Sequence, residues 1–333
     1  MVTIKDVAKH AGVSVATVSR VLNETGYVHE DTRRMVEKAI QELNYTPNEV
    51  ARSLYKRKSK LIGLLLPDIT NPYFPQLARG VEDRMQESGF RLIFGNSDES
   101  EQKERDYIQT FVQNNAVGII ASTNFPGMDF YRRLKIPVVF LDRISSDRPA
   151  VYADGREGGR IAAQEIIGRG SRRIAVLQGP AHIRPAQDRF QGAVEVLQDT
   201  GVAYEVIRTA SFALKEAEEK AKELFASFPD TDGVIASNDM AAIAVLHEAL
   251  RLGKKVPEEV QIIGFDDIPL IGLLSPPLST IRQPAYDMGY KAAELMIRLI
   301  EGQTVELRNI QMPVEFVERG STRKKPENEY VDR

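Results

Sequence analysis

The first 45 residues carry apolar positions at the spacing of three short amphipathic helices. The first helix is predicted to begin after Thr3, which can form a capping box with Asp6, and to end at Gly12. Ser14 can cap the second helix, directly after this turn. The apolar positions of the three helices are, in order, Ile4, Val7, Ala8 and Ala11; Val18, Val21 and Leu22; and Met35, Val36, Ala39, Ile40 and Leu43. This pattern predicts a helix-turn-helix unit, although an ordinary three-helix cap shows the same spacing.

The second predicted helix has a further face opposite its apolar stripe, which consists of Val15, Ala16, Ser19 and Arg20. A helix that lies in the major groove needs short side chains for close approach and a long donor to read a base edge. Arg20 can donate two hydrogen bonds to guanine, while Val15 and Ala16 can contact a thymine methyl group. Ser14, Thr17 and Ser19 suit phosphate oxygens, or they simply cap the helix and contact solvent.

From residue 60 onward, short apolar runs alternate with amphipathic helices such as 76–87 and 104–114. The apolar runs are 61–66, 91–95, 118–121 and 138–141, and the rhythm restarts with 173–178, 205–209, 233–236 and 261–265. Repeated strand-helix-strand units predict parallel sheets covered on both faces. We therefore expect an α/β core of two doubly wound subdomains, with a ligand bound between them at the carboxyl ends of the strands.

Charge is distributed unevenly along the 333-residue chain. The net charge is only −3, but residues 1–60 carry 11 Lys or Arg against 7 Asp or Glu, which leaves the remainder at −7. A basic head on an acidic body is the distribution expected of an anion-binding module joined to a separate domain. The chain has no Cys and four widely spaced His, so neither a disulfide framework nor a metal site is expected. With no apolar leader and no apolar run longer than 61–66, we expect a cytoplasmic protein without a membrane segment.

Doubly wound sheets often belong to nucleotide-dependent enzymes, but the motifs of such enzymes are missing. There is no G-x-G-x-x-G after a strand and no G-x-x-x-x-G-K-[ST], and the glycines of 155–159 open a helix without that spacing. Asp266 and Asp267 form the best carboxylate pair, but neighbours on an extended segment point to opposite sides. We therefore predict binding without catalysis, and no cofactor.

The amino-acid sequence of the N-terminal head and of the segment after it is distinctive. Residues 3–23 read TIKDVAKHAGVSVATVSRVLN and residues 44–54 read NYTPNEVARSL, and together they closely resemble the DNA-binding head and hinge of the LacI/GalR family. The resemblance implies that the hinge becomes helical on DNA and that Leu54 wedges into the minor groove. Residues 49–54 are too short to form a stable helix alone, which fits folding on the operator. The residues implied to contact DNA are Thr3, Ser14, Val15, Ala16, Thr17, Ser19, Arg20, Asn23, Asn48, Ala51, Arg52 and Leu54.

Polar and aromatic residues follow several predicted strands of the core. They match the sugar-contacting positions of the family's sugar-responsive core and of periplasmic ribose-binding proteins, with Tyr73 in place of a Phe. The residues are Asn71, Tyr73, Phe74, Asp142, Arg143, Arg189, Phe212, Asn238, Asp266 and Gln283. Carboxylates accept hydrogen bonds from sugar hydroxyls, guanidinium and amide groups donate to them, and aromatic faces cover the C–H surface.

The resemblance implies a repressor most similar to the family members that respond to ribose. A homodimer would bind a pseudo-palindromic double-stranded operator, and ribose or a derivative would release it. The implied boundaries are residues 1–46 for the head, 47–59 for the hinge helix and linker, 60–157 with 285–312 and 158–284 with 313–320 for the core subdomains, and 321–333 for a polar, disordered tail.

Two alternatives remain open on the sequence alone. The effector could instead strengthen DNA binding, as in the co-repressed and catabolite-control branches, but no residue demands the phosphocarrier-protein partner of the latter. A sugar-binding protein without a transcriptional role would need neither the head nor Leu54.

Overall fold

The computed structural model describes residues 2–45, 59–125, 129–143, 148–305 and 309–326. The chain divides into two compact units, Met1–Ser59 and Lys60–Arg333.

The N-terminal unit contains the three predicted helices, which are α1 (Ile4–His10), α2 (Val15–Asn23) and α3 (Glu30–Glu42). The backbone N–H and hydroxyl of Thr3 donate to Asp6 Oδ2 at 2.8 and 2.7 Å, which confirms the predicted capping box. The Ser14 hydroxyl accepts from the backbone N–H of Thr17 at 3.1 Å and caps α2 as predicted.

The core of this unit is formed by the predicted apolar positions of all three helices, with Val7, Val18 and Val36 fully buried. Met35 is an exception, because 52% of its surface is exposed. Its prediction as a core residue is wrong, because the buried residues of α3 are Val36 and Ala39.

The second unit alternates strands and helices along its length. In chain order they are β1 (Leu61–Leu66), α4 (Tyr73–Glu87), β2 (Arg91–Asn96), α5 (Glu101–Gln113), β3 (Gly118–Ala121), α6 (Asp129–Arg133), β4 (Val138–Leu141), β5 (Ala150–Ala153), α7 (Gly155–Gly168), β6 (Arg173–Gln178), α8 (Arg184–Thr200), β7 (Ala203–Arg208), α9 (Leu214–Ser227), β8 (Gly233–Ile235), α10 (Asp239–Arg251), β9 (Gln261–Asp266), a 3-10 helix (Pro269–Leu273), β10 (Ser279–Arg282), α11 (Ala285–Ile300), β11 (Asn309–Met312) and β12 (Glu315–Val317).

These strands form two six-stranded sheets. The first has the order β11-β5-β4-β3-β1-β2 and is parallel throughout, and the second has the order β12-β10-β9-β8-β6-β7 with only β12 antiparallel. The prediction of two doubly wound parallel sheets is confirmed. Central strands such as β1 are continuous apolar runs because helices cover both of their faces.

Among the described strands, the chain passes from one sheet to the other three times, after β5, β10 and β11. The first passage lies at Asp154, because β5 ends at Ala153 in the first sheet and α7 packs against α8 of the second. The predicted boundary after residue 157 therefore falls three residues too late, inside α7.

The prediction of a disordered tail from residue 321 is wrong for its first residues. Ser321 is fully buried, its hydroxyl donates to the carbonyl of Ile262 at 2.6 Å, and its carbonyl accepts from the N–H of Ile262 at 2.9 Å. The N–H of Arg323 donates to Gln261 Oε1 at 2.8 Å. Polar residues can be buried when each polar atom is hydrogen-bonded, and this is why polarity alone misplaced the end of the second subdomain.

Helices α7 and α8 cross closely because glycines face each other at the contact. A Cβ atom at Gly159 would lie 2.0 Å from the carbonyl oxygen of Arg189, and one at Gly192 would lie 1.9 Å from that of Arg156. A contact below 3.0 Å with backbone cannot be relieved by moving a side chain. This crossing therefore fixes the backbone position of Arg189 on α8.

Gly159→Ala is expected to lower the free energy of unfolding by about 1–3 kcal/mol, because the two helices must separate. Gly168→Ala is the matched control on the same helix, where the new Cβ would have only Lys325 Cε at 3.6 Å. It is expected to be neutral or to stabilise by up to about 1 kcal/mol. Urea unfolding followed by circular dichroism measures both, and equal effects would contradict the tight crossing.

Candidate functional site

Two adjoining cavities of about 310 and 350 Å³ lie between the two sheets, at the carboxyl ends of their strands. The structure brings all ten predicted effector residues to these cavities. They are Asn71, Tyr73, Phe74, Asp142, Arg143, Arg189, Phe212, Asn238 and Asp266 around the larger cavity, and Gln283 beside the smaller.

The first subdomain contributes a buried carboxylate with two partners. Asp142 follows β4 and forms an ion pair with Arg143, whose Nη1 also donates to the carbonyl of Asp142 at 2.8 Å. The Tyr73 hydroxyl donates to Asp142 Oδ1 at 3.0 Å, so this tyrosine orients the carboxylate in a way that a Phe cannot. Burial, and then the charge of Asp142, raise the pKa of Tyr73 well above its ordinary value, which keeps the hydroxyl protonated as a donor.

The second subdomain contributes Asp266 at the end of β9. Gln283 Nε2 donates to Asp266 Oδ1 at 2.7 Å, and Arg189 Nη1 lies 3.4 Å from the same oxygen. Arg189 also donates to the carbonyl of Ser237 at 2.9 Å, and its guanidinium lies 4.0 Å from the ring centroid of Phe265. Burial raises the pKa of Asp266 from 3.8 to about 7; Arg189 opposes the shift and Asp142 adds to it.

The prediction that Asp266 and Asp267 lie on an extended segment is wrong, because their φ angles are +115° and +61°. Asp239 stabilises this turn: its buried carboxylate accepts from the N–H of Ile268 at 2.8 Å and from the Thr280 hydroxyl at 2.6 Å. Asp267 forms ion pairs with two arginines, Arg282 at 2.6 Å and Arg319 at 2.5 Å. The two carboxylates still have different partners, so they do not form a shared acid-base pair.

Two asparagines at the cleft are oriented by the helices that follow them. Asn71 Oδ1 accepts from the N–H of Tyr73 at 3.1 Å, and Asn238 Oδ1 accepts from the N–H of Ala241 at 2.8 Å. Asn238 is the N-cap of α10, and Asn71 accepts from the first N–H of α4 from the position before its N-cap, Pro72. Since each oxygen is engaged by a backbone N–H, the amide NH₂ group is left to donate to a ligand. The aromatic rings of Tyr73 and Phe74 meet edge to face with their centroids 5.3 Å apart.

The cavities also contain residues that are not among those predicted from the sequence, including Glu99, Ile183, Pro185, Tyr152, Arg184 and Asp188. Asn124, which follows β3, belongs to the same wall because its Oδ1 accepts from Arg143 Nε at 3.0 Å. Glu99 follows β2. Both lie after a strand, so the rule that polar residues at strand ends form the site could have identified them.

The predicted DNA-contacting residues of the head lie on and around α2. Thr3, Ser14, Val15, Ala16 and Arg20 are exposed, and Thr17, Ser19 and Asn23 are partly buried. Asn23 Nδ2 donates to the carbonyl of Ser19 at 2.8 Å within the helix. Asn48, Ala51, Arg52 and Leu54 lie outside the described residues.

Within the described part of the chain, no group of His, Cys, Asp and Glu side chains is arranged to hold a metal ion. Among the same residues, no helix is long and apolar enough to cross a membrane.

Family models match both parts of the chain. Residues 3–48 match bacterial regulatory proteins of the lacI family, and residues 163–322 match a periplasmic binding protein-like domain. The chain is 62% identical over 324 residues to the ribose operon repressor of Bacillus subtilis, covering 97% of this chain and 99% of that protein. It is 41% identical over 326 residues to the ribose operon repressor of Lactococcus lactis, covering 98% and 99%.

Solved structures agree. The lac repressor dimer bound to operator and the anti-inducer ONPF superimposes with a TM-score of 0.88 at 25% identity, covering 97% of this chain and 99% of that one. A LacI-family transcriptional regulator of Enterococcus faecium with bound ribose gives a TM-score of 0.72 at 29% identity, covering 79% and 98%. The predicted resemblance to this family is confirmed, and the chain belongs to the LacI family of bacterial transcriptional regulators.

Proposed function

We propose that the protein represses a ribose-utilisation operon and leaves its operator when ribose, or a close derivative, binds the cleft between the two subdomains. The observation that carries this proposal is the meeting of ten predicted sugar-contacting residues at one pair of cavities. The high identity to ribose operon repressors and the ribose-bound structural relative support the same effector class.

The cleft chemistry suits binding of a sugar without turnover. Asp142 and Asp266 accept from hydroxyl groups, Arg143 and Arg189 donate to them, and aromatic rings cover the apolar face of the ring. Each of these carboxylates faces an arginine, which helps to hold it in place as an acceptor for sugar hydroxyls.

Asp142 and Asp266 lie in different subdomains, and this explains how a sugar could alter operator binding. Asp142 belongs to the first subdomain and Asp266 to the second, and a sugar that contacts both stabilises the arrangement in which the subdomains are closed. The sugar can weaken operator binding only as far as it prefers this arrangement over the DNA-binding one. We place the coupling at the hinge, residues 47–59, in a homodimer that holds two heads on a two-fold operator.

Operator affinity is expected to fall about 5- to 150-fold at saturating ribose, which is the usual range of allosteric coupling. A DNA duplex selected in vitro by the full-length protein serves as operator, and fluorescence anisotropy with and without ribose measures the change. Glucose at the same concentration is the control sugar. Unchanged affinity would contradict the proposal, and tighter binding would identify a co-repressed regulator instead.

A further inference from the structure

Glu99 is a cleft residue with no role among the sugar contacts proposed above. It follows β2 and lines the larger cavity together with Asp142 and Arg143 of the first subdomain and Arg189 of the second. Its side chain is partly buried. Glu99 therefore faces any molecule that fills the cavity.

The loop that carries Glu99 is braced in an uncommon backbone conformation. Asp98 and Glu99 have φ angles of +48° and +55°, a left-handed conformation that costs a non-glycine residue roughly 1–2 kcal/mol. Asp98 is held by hydrogen bonds from Asn96 and Lys103, and Asn96 Oδ1 also accepts from the N–H of Ile69 at 2.9 Å. The loop is thus fixed from both sides, and this fixes where the Glu99 carboxylate enters the cavity.

The charges around the two cavities leave one carboxylate in excess. Among the described lining residues there are three arginines, and each has an aspartate partner: Arg143 with Asp142, Arg189 with Asp266, and Arg184 with Asp188. Glu99 is the fourth carboxylate. With all these groups ionised, the lining carries a net charge of −1, which favours a neutral ligand over an anion.

The groups that could otherwise bind a phosphate are largely engaged. Arg143 donates to Asp142 and Asn124, and Arg189 donates to the Ser237 carbonyl beside Asp266. At the N-terminus of α10, Asn238 caps the helix, and at that of α4, Asn71 Oδ1 already accepts from the N–H of Tyr73. A phosphate dianion would have to displace these contacts while lying near an additional carboxylate.

We infer that Glu99 is a specificity residue that lets the cleft accept a neutral pentose and reject the same sugar carrying a phosphate group. The inference rests on the proposed function and names the effector class more closely. Glu99 acts by electrostatic repulsion of the phosphate, whereas Asp142 and Asp266 bind hydroxyl groups common to both sugars.

Isothermal titration of the full-length protein with D-ribose and with D-ribose 5-phosphate tests this inference. Burial raises the pKa of Glu99. Arg143 and His182 oppose this shift, and Asp68 adds to it. The titrations are therefore run at pH 8 to keep the Glu99 carboxylate ionised. The wild type is expected to bind ribose at least about 10-fold more tightly than the phosphate ester. Glu99→Gln is expected to tighten binding of the ester about 10-fold or more and to change ribose affinity less than about 3-fold.

Glu101→Gln is the matched control. It removes the same charge only two residues along the chain from Glu99, but at a position on α5 that is exposed. It should leave the ratio of the two affinities unchanged. Thermal unfolding of each variant checks that the chain is folded. An unchanged ratio in Glu99→Gln, a loss of ribose affinity without a gain for the ester, or a wild type that prefers the ester would each overturn the inference while leaving a sugar-responsive repressor intact. A wild type that binds neither sugar would overturn the proposed function and the inference with it.

Discussion

Asp266→Ala is expected to weaken ribose binding by at least about 100-fold and to abolish release by ribose, while operator affinity stays within about 3-fold of wild type. The carboxylate is buried at the end of β9, where it can accept from sugar hydroxyls with the strength of a charged acceptor. Operator contacts are assigned to the separate N-terminal unit, which this substitution does not touch. Calorimetry measures the first effect and fluorescence anisotropy the second.

The pH dependence of ribose binding gives the same residue a second test. Asp266 has a pKa of about 7, and the groups that act on it are Arg189, Asp142, Gln283 and the buried carboxyl of Asp239. Sugar hydroxyls donate to the ionised carboxylate, so protons compete with the sugar. Wild-type affinity for ribose is therefore expected to rise up to about 10-fold between pH 6 and pH 8, and Asp266→Asn is expected to lose this dependence.

Stability separates a binding role for Asp266 from a structural one. Its pKa is raised on folding from 3.8 to about 7, so the folded state binds the proton more tightly than the unfolded state does. The stabilisation that the protonated Asp266 carboxyl contributes below pH 4 is consequently lost as the pH rises to 7. Asp266→Asn has no such loss and is expected to be more stable than wild type by about 1–3 kcal/mol at pH 8, with the difference vanishing near pH 4.

The matched control for these measurements is Asp267→Asn, whose carboxylate pairs with Arg282 and Arg319 rather than with a ligand. It should leave ribose affinity nearly unchanged. A structural role for Asp266 would instead lower stability at pH 8 and weaken operator and sugar binding together. That outcome would remove Asp266 from the effector site.

Strand ends were the most informative part of the sequence, for a physical reason. Parallel strands end at one edge of a sheet, so residues far apart in the chain, such as Asn71 and Gln283, lie at the same pair of adjoining cavities. This can be predicted from the order of the strands without knowing how the side chains pack. Glu99 obeys the same rule but was not predicted, because a glutamate in the segment DES looks like an ordinary charged turn. Its left-handed backbone and its place in the cavity are visible only in three dimensions.

The wrong predictions for Ser321 and for the two neighbouring aspartates share a cause. Polarity predicts an exposed Ser321 and a buried Met35, yet Ser321 is buried through hydrogen bonds and Met35 is half exposed beside Val36. Their position after a strand predicts an extended backbone for Asp266 and Asp267, whereas buried Asp239 holds them in a turn with positive φ. Tertiary hydrogen bonds determine the burial of Ser321 and the backbone conformation of the two aspartates, and such long-range bonds cannot be read from the local sequence.

Arg20→Ala is expected to weaken operator binding by about 30-fold or more, because each bidentate arginine-guanine contact contributes about 1–3 kcal/mol and a dimer makes two of them. Arg20 is exposed on α2, on the side opposite buried Val18 and Val21, so its removal leaves the three-helix core intact. Ribose affinity should not change. Fluorescence anisotropy on the selected operator measures the loss, and calorimetry checks the cleft.

Lys38→Ala, an exposed residue of α3, is the control that removes the same charge without removing a base contact. The two variants are expected to differ in how their loss of affinity depends on the base sequence of the DNA. Loss of a phosphate contact weakens binding to every sequence alike and lowers the salt dependence, whereas loss of a base contact also relaxes discrimination at one base pair. Arg20→Ala should therefore bind operators with and without the guanine equally well. If it retains the wild-type preference, Arg20 contacts phosphate and the base reading on α2 belongs to Val15 and Ala16.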